Sequence, residues 1–375
     1  MCATLYQKSY VMDNMKNVGI LTWHYYPNFG SALQAFALQH TIEALGYKVS
    51  IVNYRNPKFG KVNAKKDLVR LCLANTLGRI PHRRFGRFLY APLRFSHRYH
   101  HAGKPATDES ALGALTKKFD TLVCGSDQIW APNVFNPVYF ASFADDTTRR
   151  ISYAASIGLN AIPQTLAPRY RELLHPFSAV SVREEEGKDL LRRECGIDAT
   201  VVLDPTLLVD AAVYSKMQRR VPGVGRPYLF CYFLNKRHAY RAAVERYARE
   251  KGLRIVGISE NEADEAWMTR LTGLGADHFI WLVSHAEAVA TDSYHGSIFS
   301  LIFHKDLWIF QRFAEDSPVC QNSRIRQLQS DFGIGQRVVA PGSELGGRPP
   351  IDYAHFEARL KELRASSLRF LKNSL

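Results

Sequence analysis

Small polar residues surround a histidine in the segment Thr291–Ser297. Imidazole is the side chain that exchanges a proton most readily near neutral pH. The segment lies where a predicted strand passes into a predicted helix, and the free amides at the start of such a helix can bind phosphate or carboxylate. We therefore predict that His295 is the centre of catalysis, and that Ser293, Gly296 and Ser297 hold an anionic donor. The alternative is a purely structural histidine.

A second polar turn, Cys124–Trp130, follows another predicted strand. Carboxylates and amides bind sugar hydroxyls through paired hydrogen bonds, and the face of an indole can cover a sugar ring. Asp127, Gln128 and Trp130 therefore suit a saccharide. The alternative is an Asp-capped turn with Trp130 in the core.

A third turn, Pro27–Ser31, joins the first predicted strand to the first predicted helix. A glycine at this place lets the backbone approach a ligand closely, and the helix start could hold an anion. We predict that Asn28 and Gly30 contact the saccharide. The alternative is that Asn28 or Ser31 only caps the helix.

Arg183 directly follows a predicted strand, and acidic residues begin the next helix. An arginine at the carboxyl end of a strand is well placed to bind a carboxylate or phosphate through two parallel hydrogen bonds. We predict such a contact for Arg183, the alternative being an ion pair with Glu186.

The hydrophobic periodicity predicts a framework of strands and helices that would position these turns. In the first half, we expect strands at 18–22, 48–53, 121–124, 150–154, 179–182 and 200–203, and helices at 32–45, 163–175 and 184–195. In the second half, we expect strands at 228–233, 253–258, 288–291 and 306–310, and helices at 236–251, 295–303 and 353–371.

This alternation predicts an α/β fold with two Rossmann-like domains that face each other across a cleft. The polar turns should meet in that cleft, at the carboxyl ends of the strands. The predicted divisions are a leader or extension (1–14), an N-terminal domain (15–220) with a basic insertion (58–104), a linker (221–227), a C-terminal domain (228–345) and a C-terminal helical segment (346–375).

The net charge of +14 is concentrated in one stretch, because thirteen Lys and Arg stand against one acid between Arg55 and Lys104. Cations interleaved with apolar and aromatic residues suit docking on an anionic membrane surface or a polyanionic ligand. An ordinary solvated helix is the alternative reading. Nucleic acid is not expected as a partner, because no zinc-finger or RNP-type signature accompanies the charge.

Several classes of protein lack support in the sequence. No apolar run is long enough for a membrane-spanning helix, and no GxSxG, P-loop, GxGxxG or HExxH motif follows a strand. The six cysteines are widely spaced, which is typical of reduced thiols in a cytoplasmic protein rather than of a metal site. We therefore expect no metal and a cytoplasmic location, at the inner face of the membrane if the basic insertion docks there.

The ordered set of motifs resembles the polysaccharide pyruvyl transferase family from about Met15 onward. The matching segments are Gly19–Thr22, Pro27–Ala35, Gly125–Trp130, Ser152–Gly158, Ser181–Glu184, Leu203–Thr206 and Ser293–Ser297, followed by Ser323–Ile325. The resemblance implies a fold similar to the GT-B glycosyltransferase type and the transfer of pyruvate from phosphoenolpyruvate to a saccharide, which gives a ketal.

The resemblance also implies that His295 and Arg183 contact the donor. Some members have an arginine where this chain has Ser293, so phosphate contact here would come from backbone amides, Ser297 or Arg324. Protonation of phosphoenolpyruvate at C3 would fall to His295, and orientation or deprotonation of the acceptor to Asp127. Phosphoenolpyruvate would be a co-substrate, and no other cofactor is expected.

Two other functions stay open at the level of sequence. One is a nucleotide-sugar-dependent glycosyltransferase, since the GT-B fold also binds a diphosphate at a helix start of the second domain. The other is a non-catalytic binder that uses the basic stretch on anionic lipid or polysaccharide. The expected acceptor is a sugar of a cell-surface or exopolysaccharide glycan, either free or lipid-linked.

Overall fold

The computed structural model describes residues 15–24, 28–56, 84–234, 238–315, 317, 320–340 and 342–375. Within these ranges the chain forms one parallel β-sheet in each half of the sequence and a short third pair of strands. The leader predicted at 1–14 and residues 57–83 of the predicted basic insertion lie outside the described residues.

The first sheet has the strand order β2-β1-β3-β4-β5, and every pair in it is parallel. Its strands are β1 (Asn17–Leu21), β2 (Lys48–Ile51), β3 (Thr121–Cys124), β4 (Arg149–Ser152) and β5 (Phe177–Ala179). The helices of this part are α1 (Phe29–Ala44), α2 (Arg84–Tyr99), α3 (Glu109–Thr116) and α4 (Ala167–Leu174). The central strand β3 is wholly buried, as expected for a parallel strand that is covered on both faces.

The predicted strand 179–182 is wrong in one respect, because it is two strands. β5 ends at Ala179, whereas β6 (Ser181–Val182) pairs with β7 (Thr200–Val201) in a separate parallel pair. The register of β4 against β5 also shifts at Arg150. The first sheet ends at β5, and the next strand, β6, pairs outside it.

Two helices follow these short strands. α5 (Glu185–Leu190) continues as a π-helical turn over Leu191–Cys195, and Gly196, with φ of 68°, ends it. The predicted helix 184–195 is therefore present with an irregular last turn. α6 (Ala211–Met217) was not predicted.

The second sheet has the order β10-β9-β8-β11-β12-β13 and is also parallel throughout. Its strands are β8 (Tyr228–Tyr232), β9 (Arg254–Ile258), β10 (Thr269–Leu271), β11 (Ala288–Thr291), β12 (Asp306–Phe310) and β13 (Val338–Val339). The helices of this half are α7 (Arg241–Glu250), α8 (Ala276–His285), α9 (Tyr294–Ile302) and α10 (Ser323–Phe332). The predicted α/β fold with two Rossmann-like domains is confirmed by these two parallel sheets.

The strands of the sheets fall on either side of the predicted linker. β1 to β7 lie within 15–220 and β8 to β13 within 228–345, while the exact domain boundaries remain a prediction. α7 is shorter than the predicted helix 236–251, because a 3-10 turn at His238–Tyr240 precedes it and 235–237 lie outside the described residues.

The last helix, α11 (Tyr353–Ser374), runs from the second half to the first. The Tyr353 hydroxyl donates to the Lys305 carbonyl (2.5 Å) in the second half. Further along, the Leu203 amide donates to Ser367 Oγ (3.0 Å), and Arg149 Nε donates to the Ser374 carbonyl (2.8 Å). The helix therefore packs on both halves.

The two halves also meet through α1, which is buried on nearly every side. Phe29 stacks on Phe279 with ring centroids 5.1 Å apart and lies 5.6 Å from Tyr232. The first turn of α1 is thus held against the second sheet, so the predicted cleft is closed on this side by aromatic packing.

The part of the basic insertion that the structure describes, residues 84–104, packs against the rest of the protein. In α2, Phe95 is buried, and Arg94 forms an ion pair with Asp277 of α8. Docking on a membrane stays a prediction that concerns mainly residues outside the described ranges. No helix in the described part of the chain is both long and apolar enough to cross a bilayer.

Candidate functional site

Two helix starts, one from each half, face each other at the centre of the site. A Cβ atom built on Gly30, in the first turn of α1, would lie only 2.1 Å from Nδ1 of His295 in the first turn of α9. Only glycine leaves room for the imidazole at this contact. Gly30 is predicted to contact the saccharide. Because it has no side chain, it also lets the backbone of the first half pack against His295 of the second half.

The other ring nitrogen of His295 faces a carboxylate of the first half. Nε2 lies 3.6 Å from Oδ2 of Asp204, and both side chains are almost wholly buried. Burial would raise the pKa of Asp204, but His295, Arg183 and Thr206 together hold it well below its usual value. Asp204 is thus an anion at neutral pH, and its charge faces the imidazole of His295.

The Asp204 carboxylate is fixed by its own turn. Oδ1 accepts hydrogen bonds from the amide (3.0 Å) and the hydroxyl (2.6 Å) of Thr206. Oδ2 accepts from Nη1 of Arg183 at 2.6 Å. The sequence motif Leu203–Thr206 contains this aspartate, but the sequence alone indicates no role for it.

Arg183 lies beneath the site rather than open to it. Its side chain is 1% exposed, Nε donates to Oε1 of Glu184 at 3.0 Å, and the guanidinium lies over the ring of Tyr294 at 4.4 Å. The prediction that Arg183 binds a ligand through two parallel hydrogen bonds is wrong, because two of its three guanidinium nitrogens donate to Glu184 and Asp204. Its predicted alternative partner, Glu186, pairs instead with Arg326.

A second guanidinium, that of Arg324, lies 5.7 Å from the same Tyr294 ring. Burial and the charge of Arg183 lower the pKa of Arg324 to about 10. Its Nη2 donates to Gln321 Oε1 at 2.9 Å, and it forms no ion pair with any described residue. Arg324, which has no ion-pair partner within the described ranges, can therefore bind an anionic group of a ligand.

Four buried polar atoms at this place have no hydrogen-bond partner among the described residues. They are Arg183 Nη2, Glu184 Oε2, His295 Nε2 and Arg324 Nε. Buried polar atoms are nearly always paired in proteins. Their concentration around Tyr294 therefore marks the place where a polar ligand would complete the hydrogen bonding.

Asp127 reaches the site through α1. Its backbone has φ of 74°, a conformation that side-chain-bearing residues adopt at a cost and that is often found at functional sites. Oδ2 accepts from Ser31 Oγ at 2.6 Å, and Oδ1 from the Gln128 amide at 2.9 Å. The structure thus brings Asp127 to Ser31, the neighbour of the glycine that touches His295.

Gln128 lies at the seam between the halves, where its Nε2 donates to Gln321 Oε1 at 3.1 Å. Gln321 also accepts from Arg324, so the predicted saccharide and donor contacts are linked through this one amide. A side chain on Gly158 (φ 66°) would collide with Gln128.

The prediction for Trp130 is wrong. The indole is wholly buried, stacks on Phe140 with centroids 5.1 Å apart, and donates from Nε1 to the Tyr139 carbonyl at 3.1 Å. Its face is therefore in the core and cannot cover a sugar ring.

The small polar residues of the two turns shape the helix starts. Asn28 caps α1 by accepting from the Ser31 amide (3.2 Å), and Ser293 caps α9 by accepting from the Gly296 amide (3.2 Å). Ser297 donates to the Ser293 carbonyl at 3.0 Å. The capping alternative for Asn28 is therefore observed, and Ser293 caps its helix in the same way. The first amides of α9, at Tyr294 and His295, have no acceptor within the helix.

The structure adds residues that sequence reasoning missed. Asp204 faces His295, and Glu184 accepts a hydrogen bond from Arg183. The ring of Tyr294 lies beside Arg324, and Ser31 donates a hydrogen bond to Asp127. In the described part of the chain, no group of three or more His, Cys, Asp or Glu is placed to hold a metal ion.

A family model described as "Polysaccharide pyruvyl transferase" matches residues 28–307, a range that contains the site residues except Gln321 and Arg324. A search of the curated proteins found no match.

Solved structures with a similar fold include the UDP-GlcNAc 2-epimerase from Neisseria meningitidis bound to UDP-GlcNAc. It is 10% identical, with 95% of this chain and 94% of that chain covered and a TM-score of 0.50. The UDP-GlcNAc 2-epimerase from Methanocaldococcus jannaschii (13% identity, 92% of each chain, TM-score 0.48) and the E. coli ADP-heptose lps heptosyltransferase II (14% identity, 94% and 99%, TM-score 0.42) are also similar. At such identities the likeness concerns the fold alone.

Proposed function

The chain belongs to the polysaccharide pyruvyl transferase family, and from this premise we propose that it transfers pyruvate from phosphoenolpyruvate to a saccharide, with a ketal and phosphate as products. The observation that carries the proposal is the placement of His295 between Gly30 and Asp204. An acid held by a buried carboxylate at the junction of the halves suits a donor that must be protonated on carbon.

The first step is protonation of C3 of phosphoenolpyruvate. The carboxylate of Asp204 faces Nε2 of His295, and Nδ1, beside Gly30, delivers the proton to the methylene carbon. C2 then becomes electrophilic, and an acceptor hydroxyl forms a bond to it. Asp127 receives the proton of that hydroxyl, relayed by Ser31.

The second step releases phosphate. The C2–O bond to phosphate breaks with its electron pair going to the leaving oxygen, and the second hydroxyl bonds to C2 and loses its proton. One of the two hydroxyl protons replaces the proton given to C3 and the other leaves with phosphate, so atoms and charges balance. Arg324 and the first amides of α9 stabilise the phosphate oxygens.

The carboxylate of the donor has a separate partner in this proposal. Nη2 of Arg183 is buried and unpaired within the described ranges, while the rest of the guanidinium is fixed by Glu184 and Asp204. One charge-assisted hydrogen bond from a rigid donor would orient the carboxylate. Ser293 and Ser297 then act through the shape of the helix start, and Asn28 and Gln128 contact the saccharide.

The same proposal includes the acceptor and the compartment of the reaction. The acceptor is a sugar of a cell-surface or exopolysaccharide glycan, free or lipid-linked, and the reaction takes place in the cytoplasm. Cys124, Cys195, Cys231 and Cys320 are buried and unpaired, which fits a reducing compartment.

The test uses phosphoenolpyruvate with glycan extracted from the producing cells. Mass spectrometry should show pyruvate ketals on the glycan, with equal release of phosphate. His295→Ala should lower turnover by about 100-fold or more, whereas His175→Ala, an exposed histidine outside the site, should leave it unchanged. Full turnover by the His295 variant would exclude this mechanism.

A binding test separates the proposal from a nucleotide-sugar-dependent reaction. Calorimetry should detect binding of phosphoenolpyruvate and no binding of UDP- or GDP-sugars. Binding of a nucleotide sugar alone would support the glycosyltransferase instead.

A further inference from the structure

A cavity of about 300 Å³ lies in the second half, away from the site of His295. Lys305 and Asp306 at the start of β12 line it, as does Arg337 just before β13. These positions are at the amino ends of the strands, whereas His295 follows the carboxyl end of β11. The cavity is therefore at the opposite edge of the second sheet.

The charge of the lining is strongly positive. Lys251, Lys305, Arg337 and Arg348 face one carboxylate, that of Asp306. This carboxylate is already engaged, since Arg337 Nη1 lies 3.0 Å from it and the hydroxyl of Tyr247 donates to it.

Three of these cations have no close ion pair. Lys251, Lys305 and Arg348 form no ion pair with any residue that the structure describes. Lys305 is half-buried, and burial lowers its pKa. An anion bound between these groups would supply the missing negative charge.

The fourth cation is buried and incompletely paired. Arg337 is 4% exposed, and its guanidinium lies 4.5 Å from the ring centroid of Trp308. Its Nε has no hydrogen-bond partner within the described ranges. A buried guanidinium normally has all its donors satisfied, so Arg337 marks this cavity as a place where a ligand oxygen is needed.

The walls are held in place by hydrogen bonds. Arg348 Nη1 donates to the carbonyls of Gln336 (2.8 Å) and Val338 (3.1 Å). The Tyr353 ring stacks on His304 with centroids 4.3 Å apart, and its hydroxyl donates to the Lys305 carbonyl. The cavity is thus formed before any ligand binds, which lowers the entropic cost of binding.

We propose that this cavity is a second anion site that binds a small phosphorylated molecule. Its volume is at the lower end of the roughly 300–1,000 Å³ typical of small-molecule sites, so it fits a phosphate or diphosphate with a small attached group. Lys251, Lys305 and Arg348 bind the phosphate oxygens, and Tyr247 and Tyr353 flank the rest.

The second anion site is distinct from the place where phosphoenolpyruvate is proposed to bind. α9 begins beside His295 and ends at Ile302, three residues before Lys305, and its nine residues span about 14 Å at the usual rise per residue. The two sites therefore lie near opposite ends of one helix, and their ligands do not compete.

Calorimetric titration with inorganic pyrophosphate tests the proposal. The variant Lys251→Gln/Lys305→Gln should weaken binding by about tenfold or more, since two charge-assisted contacts are lost. Lys216→Gln, an exposed lysine elsewhere, is the matched control and should bind as the unaltered chain does. Arg324→Gln should leave this binding unchanged, because Arg324 lies at the other site.

Two results would overturn the second anion site. One is equal pyrophosphate binding by the double variant and by Lys216→Gln, and the other is loss of binding in Arg324→Gln alone. Thermal unfolding without pyrophosphate shows whether the double variant is folded. If it is not, the exposed single substitution Lys251→Gln decides by the same comparison, with a smaller loss of affinity.

Discussion

Nε2 of His295 lies 3.6 Å from Oδ2 of Asp204, and the two residues come from different halves of the chain. Because the aspartate is also held by Arg183 and Thr206, the histidine meets a carboxylate that cannot turn away. The contact between the histidine and this carboxylate therefore depends on how the two halves are packed.

Replacement of Asp204 should change how activity depends on pH. In Asp204→Asn a neutral amide replaces the carboxylate that faces the imidazole, so turnover should fall and its dependence on pH should change. Turnover with phosphoenolpyruvate measured across pH checks this. If turnover falls by the same factor at every pH, the role of Asp204 is only structural.

Asp204 should also contribute to acid sensitivity of the fold. Its pKa in the folded chain is below the unfolded value of about 3.9, so the stability that it contributes is present above about pH 4 and is lost as the pH falls through the folded value. Urea unfolding at several pH values below 5 should therefore show a steeper loss of stability in the unaltered chain than in Asp204→Asn. Parallel pH curves for the two chains would contradict this.

Gly30→Ala should lower activity without lowering helix stability. Alanine is favoured over glycine in a helix by up to about 1 kcal/mol, but its Cβ would meet the His295 ring at 2.1 Å and displace it. We expect turnover to fall by about 100-fold, as measured by phosphate release. Gly335→Ala is the control, since its nearest neighbour would be 3.9 Å from the new Cβ, and it should be fully active.

Arg324→Gln should weaken the binding of phosphoenolpyruvate by about 10-fold or more, because the charge-assisted contact with the phosphate is removed. Calorimetry gives the dissociation constant. Arg169→Gln is the matched control, since this half-exposed arginine lies outside the site and forms an ion pair with Glu172 on α4. Unchanged affinity in Arg324→Gln would place the donor phosphate elsewhere.

Trp130→Phe should reduce stability and leave the affinity for the saccharide unchanged. The indole hydrogen bond to the Tyr139 carbonyl and part of the stacking on Phe140 would be lost, at a cost of about 1–3 kcal/mol. Urea unfolding measures the first effect and the KM for the glycan the second. A raised KM in a variant of normal stability would restore the predicted contact with the sugar.

Much of the framework could be predicted from the sequence because its signals are local. β3, β11 and β12 begin and end where the apolar runs do, since a buried parallel strand needs apolar residues on both faces. The turn that carries His295 was found in the same way. Its cap, Ser293, is the kind of residue that starts a helix.

The missed features depend on distant residues. Trp130 and Arg183 both follow strands, and nothing near them in the sequence tells that one stacks on Phe140 and the other is enclosed by Asp204. The split between β5 and β6 likewise depends on which strand each one pairs with. Burial and pairing of this kind are decided by the packing of the whole chain.

The course of α11 has a mechanical consequence. The chain passes between the halves twice, once through the segment that precedes β8 and once through this helix, which begins on Lys305 and ends on Arg149. A chain cut before Tyr353 would keep only the first of these connections and would lose the hydrogen bonds of the helix to both halves.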